Sequence, residues 1–175
     1  MIKIIIAIVA LSAIILGGVA FAATHQTNSN TVLVDEENRF SFTIEGEVSK
    51  PGTYVLEEVT TMGQLIDSAG GLTSNGDELS FFEDVTLTSG QTYYIAGKYD
   101  ASDICSNAPI QKVNINSDNA DELMSINGIS SSIASAIVSY RVENGTFRTL
   151  EDLLNVYGIG NATYRKVRGY VILHN

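Results

Sequence analysis

The sequence contains a single cysteine, Cys105, no tryptophan and only two histidines among 175 residues. One cysteine excludes an intramolecular disulfide and any metal site built from several thiolates. We expect Cys105 to be unpaired, the alternative being a disulfide to a second chain. His25 and His174 lie near the two ends of the region after the apolar N-terminus, where we predict solvated side chains that neither bind a metal nor act as a base.

Signatures of catalysis are also missing. The sequence has no Ser/His/Asp ordering, no phosphate-binding loop and no zinc-ligand spacing, and its acidic residues are scattered. We therefore predict no catalytic residues, no metal ligands and no cofactor. A binding protein fits this pattern better than an enzyme.

Positive charge is scarce, since ten basic residues face twenty acidic ones and the formal net charge is −10. Such a balance argues against a nucleic-acid partner, because lysines and arginines supply most of the affinity for phosphates. The charge is unevenly spread, however. Residues 1–111 carry four basic and fourteen acidic side chains, whereas residues 112–175 carry six of each. The argument against a polyanionic partner therefore applies only to the first part of the chain.

The N-terminus is apolar. Residues 4–23 contain no charge, and about 20 helical residues span about 30 Å, the thickness of a bilayer core. Lys3 favours an N-terminus inside the cell, so we predict a transmembrane anchor over residues 1–23 with everything after it outside. The alternative is a signal peptide cleaved near Ala22, which gives a secreted protein. Residues 24–39 are polar and predict a flexible stalk.

Residues 40–96 predict a small α+β fold. The segment 61–69 has apolar residues at 62, 65, 66 and 69, the period of a helix packed on a sheet, and Gly70 and Gly71 end it. Alternating or β-branched segments predict the strands Phe40–Ile44, Thr53–Val55, Val85–Leu87 and Thr92–Ile95. Residues 97–112 have no period and are predicted to be a linker.

A short motif occurs twice in residues 113–175. Ile126–Ser130 and Val156–Gly160 each lie between two helical patterns, 30 residues apart, and each holds a glycine where the chain must turn. A helix that begins directly after such a turn has unpartnered N–H groups and a positive dipole end, which together attract an anion. Two such turns predict a pair of phosphate sites.

The helices around these turns can be delimited from the sequence. We predict that Ser117 or Asp118 caps the first, that the second runs from about Ser131 to Asn144 and stops at Gly145, that Thr149 caps the third with Asp152 as the acid of a capping box, and that the fourth begins near Asn161. Residues 113–175 are thus predicted to be all-α.

This region resembles the tandem helix-hairpin-helix DNA-binding module. Its segments Val113–Asn116, Ala120–Leu123, Ser139–Arg141, Gly145–Phe147 and Leu150–Leu154 are similar to those of the ComEA family, the membrane-anchored DNA receptors of natural competence. In the first region, Gly46, Pro51–Tyr54, Ala69–Thr73 and Gly90–Ile95 resemble the soluble-ligand-binding β-grasp domain that ComEA-type receptors of Gram-positive bacteria carry between anchor and DNA module.

The resemblance implies an extracellular, membrane-anchored receptor that binds double-stranded DNA without sequence preference and serves DNA uptake in transformation. Implied partners are duplex DNA, membrane lipid around residues 4–23, a DNA-translocation channel and a second copy of the chain through the β-grasp domain. The rival hypothesis is a cell-surface adaptor that binds protein or polysaccharide through the β-grasp domain and keeps a degenerate helical module.

The predicted DNA contacts are backbone N–H groups of the two turns and two nearby cations. They comprise Gly128, Ile129, Ser130, Ser131, Gly158, Ile159, Gly160, Asn161, Ala162, Arg165 and Lys166, and Arg141 or Arg148 extends the set. The first turn departs from the family pattern, with Asn127 in place of proline and Ser130 in place of the second glycine, and neither turn is followed by a lysine. Ser130 is expected either to donate its hydroxyl to phosphate or to cap a helix.

Overall fold

The computed structural model of the chain describes residues 39–100 and 108–175. The predictions for the anchor or signal peptide, for most of the stalk and for Cys105 lie outside these residues. Within the two described ranges, no helix is both long and apolar enough to cross a bilayer.

A three-stranded sheet forms the base of the first region. Its strands are β1 Phe40–Gly46, β2 Gly52–Leu56 and β3 Thr92–Ile95, in the order β2-β1-β3, with β2 antiparallel and β3 parallel to β1. Period-two alternation places Phe42 and Ile44 on one face, where both are buried. The strands predicted around Phe40, Thr53 and Thr92 are confirmed.

One helix, α1 Met62–Ser68, packs on this sheet as the apolar period predicts. Thr61 begins it with a capping box, because Gln64 N–H donates to the Thr61 hydroxyl and Gln64 Oε1 accepts from Thr61 N–H. Met62, Leu65 and Ile66 form its buried side.

The predicted strand Val85–Leu87 is wrong. Only Thr86 pairs, in an isolated antiparallel bridge with Thr61. Val85 and Leu87 are nonetheless buried, at 7% and 6% exposure. Their alternation therefore reflects two side chains that enter the core from an extended segment, whose backbone makes two hydrogen bonds to residues 60 and 62 around the single bridge and does not continue as a strand.

The second region contains the helices α2 Ala120–Leu123, α3 Ser131–Asn144 and α4 Asn161–Val167, and a 3₁₀ helix at Leu150–Asn155. The prediction of α3 is confirmed at both ends, and Gly145 ends it with a φ of +87°. The third predicted helix is 3₁₀ in type. Its capping acid is confirmed, since Asp152 Oδ2 accepts from Thr149 N–H at 3.0 Å.

Two details of the second region correct the sequence prediction. The region is not purely helical, because β4 Val113–Asn114 and β5 Val171–Ile172 pair in parallel and join its two ends. Neither Ser117 nor Asp118 caps α2. Asn119 does, accepting from Asp121 N–H and Glu122 N–H, while Asp118 accepts from Asn114 N–H.

The two regions belong to one compact unit, residues 37–175. Phe82 packs against the hydrophobic cores of both. The C-terminus crosses back to the first region, where Leu173 N–H donates to Leu79 O. His174 is half-buried, stacks on Phe82 with ring centroids 4.8 Å apart and places Nε2 2.9 Å from Phe81 O. The prediction that this histidine is solvated is therefore wrong.

A buried ion pair also joins the regions. Lys112 Nζ contacts Asp77 Oδ2 at 2.5 Å, and the two side chains are only 6% and 8% exposed. Burial lowers the pKa of Lys112, while the bond to Asp77 opposes that shift. Removal of either side chain would leave an uncompensated buried charge and would destabilise the fold.

Candidate nucleic-acid interface

The two repeated turns have the same geometry. Ile129 N–H donates to Ile126 O and Ile159 N–H donates to Val156 O, both at 3.0 Å. Gly128 and Gly158 occupy the third position of these turns with φ of +117° and +89°. A positive φ at that position is nearly restricted to glycine. The turn type thus explains the glycine that recurs every 30 residues.

A helix follows each turn at the same distance. Ser130 and Gly160 are extended N-cap residues, and the first intrahelical donors are Ala134 and Tyr164. The N–H groups between cap and first donor have no acceptor within the helix. Those of Ser131, Asn161 and Ala162 belong to exposed residues, so each turn presents donors to solvent.

Two predicted contact residues serve the scaffold instead. The N–H groups of Ile129 and Ile159 already donate within the turns, and their side chains are buried at 6% and 5% exposure. Both isoleucines hold the turn in place and have no amide left for a phosphate. The donors that remain for a ligand are those on the helical side of each turn.

Ser130 lies at the start of α3, where its hydroxyl has a partner within the helix. Its hydroxyl accepts from Ile133 N–H at 3.4 Å, so Ser130 caps α3. Gly160, the equivalent residue in the second hairpin, has no side chain to do this. The helix of the second hairpin therefore begins with one more N–H group that lacks a side-chain acceptor than the helix of the first hairpin does.

Each turn packs against the second helix of the other hairpin. A Cβ on Gly128 would lie 3.1 Å from Lys166 Cδ and 3.2 Å from Val167 Cγ1, both in α4. A Cβ on Gly158 would lie 3.4 Å from Ile133 Cγ1 in α3. The side chain of Lys166 thus lies along the first turn, which has no lysine of its own. The sequence does not predict the contact between Gly128 and Lys166, because the two residues are 38 positions apart.

Arg165, the other predicted cation, is exposed beside the second hairpin. It lines a cleft of about 510 Å³ together with Asn161 of the same hairpin and Thr92 of β3. The two cations therefore lie near different hairpins: Lys166 lies beside the first turn, and Arg165 lies in the cleft next to the second.

The remaining arginines of this region contact other groups. Arg168 lies over the Tyr94 ring at 3.8 Å and pairs with Glu45 at 3.2 Å. Arg141 Nη1 donates to Ile115 O, and Arg148 lies beside Asp84 at 3.6 Å. These contacts do not support the expected extension of the site by Arg141 or Arg148. Arg141 hydrogen-bonds within the helical region, and Arg148 points toward Asp84 of the first region.

The segments that contain the two turns carry no charge. No acidic or basic residue occurs from Leu123 to Tyr140 or from Leu153 to Tyr164. In a chain with a formal net charge of −10, these two segments add no negative charge of their own that would repel a polyanion.

One buried carboxyl connects the second hairpin to the sheet. Glu151 Oε1 accepts from Tyr94 N–H of β3 at 2.8 Å and from the Tyr164 hydroxyl of α4 at 2.6 Å. Burial raises the pKa of Glu151 to about 7, although the hydrogen bonds oppose the shift. Burial likewise raises the pKa of Tyr164, its bonding partner. No local pattern around Glu151 predicts that its side chain is buried.

Comparison with known proteins gives matches in both regions. A helix-hairpin-helix motif model matches residues 108–172, and an SLBB domain model matches residues 41–83. ComE operon protein 1 of Bacillus subtilis (strain 168) is 30% identical over 158 aligned residues, which cover 85% of this chain and 73% of that protein.

Other relatives match the helical region alone. An uncharacterized protein of Haemophilus influenzae is 47% identical over 62 residues, 35% of this chain and 55% of that protein. Endonuclease/exonuclease/phosphatase family domain-containing protein 1 of Mus musculus is 43% identical over 60 residues, 34% of this chain but only 10% of that protein. The likeness to the mouse protein therefore concerns a small module of it. The match to the Bacillus protein, in contrast, runs through both regions of the fold in the same order, and the chain belongs to the ComEA family.

Proposed function

We propose that the chain is an extracellular, membrane-anchored receptor that binds double-stranded DNA without sequence preference and serves DNA uptake in natural transformation. Membership in the ComEA family and the helix-hairpin-helix match support DNA binding in competence. In this proposal residues 1–23 form the anchor, 24–39 the stalk, 40–96 the β-grasp domain, 97–112 the linker and 113–175 the DNA-binding domain.

The observation that carries the proposal is the pairing of two turns that share the same hydrogen bond and the same glycine position. Each presents first-turn N–H groups on a neutral surface, and each packs on the other hairpin, which fixes their spacing. Donors held rigidly at two points suit the two phosphate backbones on either side of a groove. Lys166 at the first turn and Arg165 at the second add Coulomb attraction.

Contacts of this kind position DNA without reading its bases. Binding should therefore be indifferent to sequence. We also expect binding to weaken strongly as salt rises, and the affinity to be modest because only two cations accompany the amides.

The β-grasp domain has a separate role in this proposal. Its acidic surface repels the DNA backbone, and its sheet ends at β2, an edge strand with Val55 59% exposed, which offers a place for a second copy of the chain. Hand-over of bound DNA to a translocation channel completes the proposed function.

A salt titration of the full chain, solubilised in mild detergent, tests DNA binding. Fluorescence anisotropy with two labelled duplexes of unrelated sequence should give equal affinities at every salt concentration. Arg165→Gln and Lys166→Gln should each reduce the slope of log K against log salt by about one. Arg148→Gln is the control, because its guanidinium faces Asp84. Weak binding that salt does not change, and that neither variant alters, would favour the adaptor hypothesis instead.

A further inference from the structure

Tyr157 is the most exposed large hydrophobic side chain in the described part of the chain, at 87% exposure. It lies in the second hairpin turn, directly before Gly158. A lone exposed aromatic on a loop needs no explanation. This one is different because its backbone is held rigidly.

The neighbours of Tyr157 fix its direction. Val156 before it and Ile159 after it are buried at 3% and 5% exposure, and a 3.0 Å hydrogen bond joins them across the turn. Gly158 has the left-handed φ of +89° that the turn requires. The turn therefore holds Tyr157 at its tip, with the ring in solvent on the rim of the proposed DNA-binding surface.

The surroundings of Tyr157 suit a nucleic acid. The stretch from Leu153 to Tyr164 has no charged residue, so the tip of the hairpin does not itself repel phosphate, and Arg165 lies in the adjoining cleft, which Asp152 and Glu45 also line. A tyrosine ring packs well on sugars and bases and loses little conformational entropy on binding. The first turn holds polar, exposed Asn127 at the equivalent position. The two turns therefore share a backbone geometry and differ in the side chain at the tip.

We propose that Tyr157 packs its ring against a deoxyribose and base edge next to the phosphate bound by the second turn. The inference rests on the proposed DNA binding and adds an uncharged contact to it. The second hairpin thereby holds DNA more tightly than the first, by a contact that salt does not screen.

The absence of tryptophan from the chain makes the test direct. In the full chain, Tyr157→Trp places a single reporter at the tip. Val142→Trp is the matched control, since Val142 is 79% exposed in the last turn of α3, about 16 Å along the helix axis from its first residue. On saturation with a short mixed-sequence duplex, emission at 157 should be quenched and shifted, and emission at 142 should stay unchanged.

Affinity measurements complete the test. Tyr157→Ala should weaken binding about fivefold or more, the lower end of an aromatic contact with a nucleotide. The slope of log K against log salt should not change, since no charge is lost, and Tyr157→Phe should bind as the parent does. A normal thermal midpoint shows that the variants are folded.

Three results would overturn the inference. If the parent chain binds DNA with the expected salt dependence while emission at 157 does not respond and Tyr157→Ala binds normally, the contact is absent and the proposed function survives. If the parent binds no DNA, both proposals fail together. Quenching of Tyr157→Trp by a protein but not by DNA would assign the tip to a protein partner.

Discussion

Neutralising Glu151 should remove a pH dependence from the stability of the protein. The carboxyl is 9% exposed and joins β3 to α4 through Tyr94 N–H and the Tyr164 hydroxyl. Both donors bond to the same oxygen, Oε1, so a proton on the other oxygen leaves both hydrogen bonds intact. The protonated form is thus fully compatible with the fold, while the charged form must be kept in a buried site.

The magnitude follows from the shift. The pKa of Glu151 rises from an ordinary 4.5 to about 7, which corresponds to about 3 kcal/mol between the two protonation states. A raised carboxyl pKa means that the folded protein holds the proton more tightly than the unfolded chain. This contribution to the free energy of unfolding is therefore complete below about pH 4.5 and is lost as the pH rises through 7.

Urea unfolding of the parent and of Glu151→Gln across that range measures the effect. The glutamine Oε1 accepts the same two hydrogen bonds and carries no charge. The difference in unfolding free energy, variant minus parent, should grow by about 3 kcal/mol between pH 4.5 and pH 8. Glu143→Gln, at an exposed position of α3, serves as the matched control for loss of a carboxyl charge.

A difference between parent and Glu151→Gln that stays constant with pH would refute this reasoning. So would a difference that shrinks as the pH rises, since it would mean that the charged form is the one the fold favours. Unequal m-values would show a change in the unfolded or native ensemble and would require a second probe of unfolding.

Two further substitutions test the packing around the site. Asp77→Ala leaves the buried ammonium of Lys112 without its partner and should lower the free energy of unfolding by about 3–5 kcal/mol in urea titrations, whereas a loss below about 1 kcal/mol would show that water reaches the lysine. Gly128→Ala places a side chain at a φ of +117° and 3.1 Å from Lys166 Cδ, so its thermal midpoint should fall by several degrees. Gly160→Ala is its control, because Gly160 has a φ of −97° and open space around its Cα, and an equal loss in both variants would argue against the strain.

The turns and the long helix could be predicted from the sequence because local rules determine them. A positive φ favours glycine, and Gly145 ends α3 with a φ of +87°, so both features are encoded by adjacent residues. The strand at Val85–Leu87 shows the limit of such rules. An alternating pattern indicates which side chains are buried but not whether the backbone finds a ladder partner.

The features that sequence reasoning missed all depend on contacts between distant segments. Lys166 lies beside the first turn only because α4 packs there. Glu151 accepts a hydrogen bond from Tyr94 N–H, and these two residues are 57 positions apart in the sequence. From the sequence alone, Glu151 resembles any exposed acidic residue in the first turn of a helix. The cap of α2 differs from the prediction for a related reason. The Asp118 carboxylate accepts a hydrogen bond from Asn114 N–H, and the neighbouring Asn119 caps the helix.

If backbone N–H groups of both hairpin turns contact DNA, their NMR resonances should respond to it. We predict that titration of the ¹⁵N-labelled full chain with a short duplex shifts the amide signals of Ser131, Asn161 and Ala162 most, while signals from β1 and β2 do not move. Shifts from only one hairpin, or shifts concentrated in the sheet of the first region, would contradict the account.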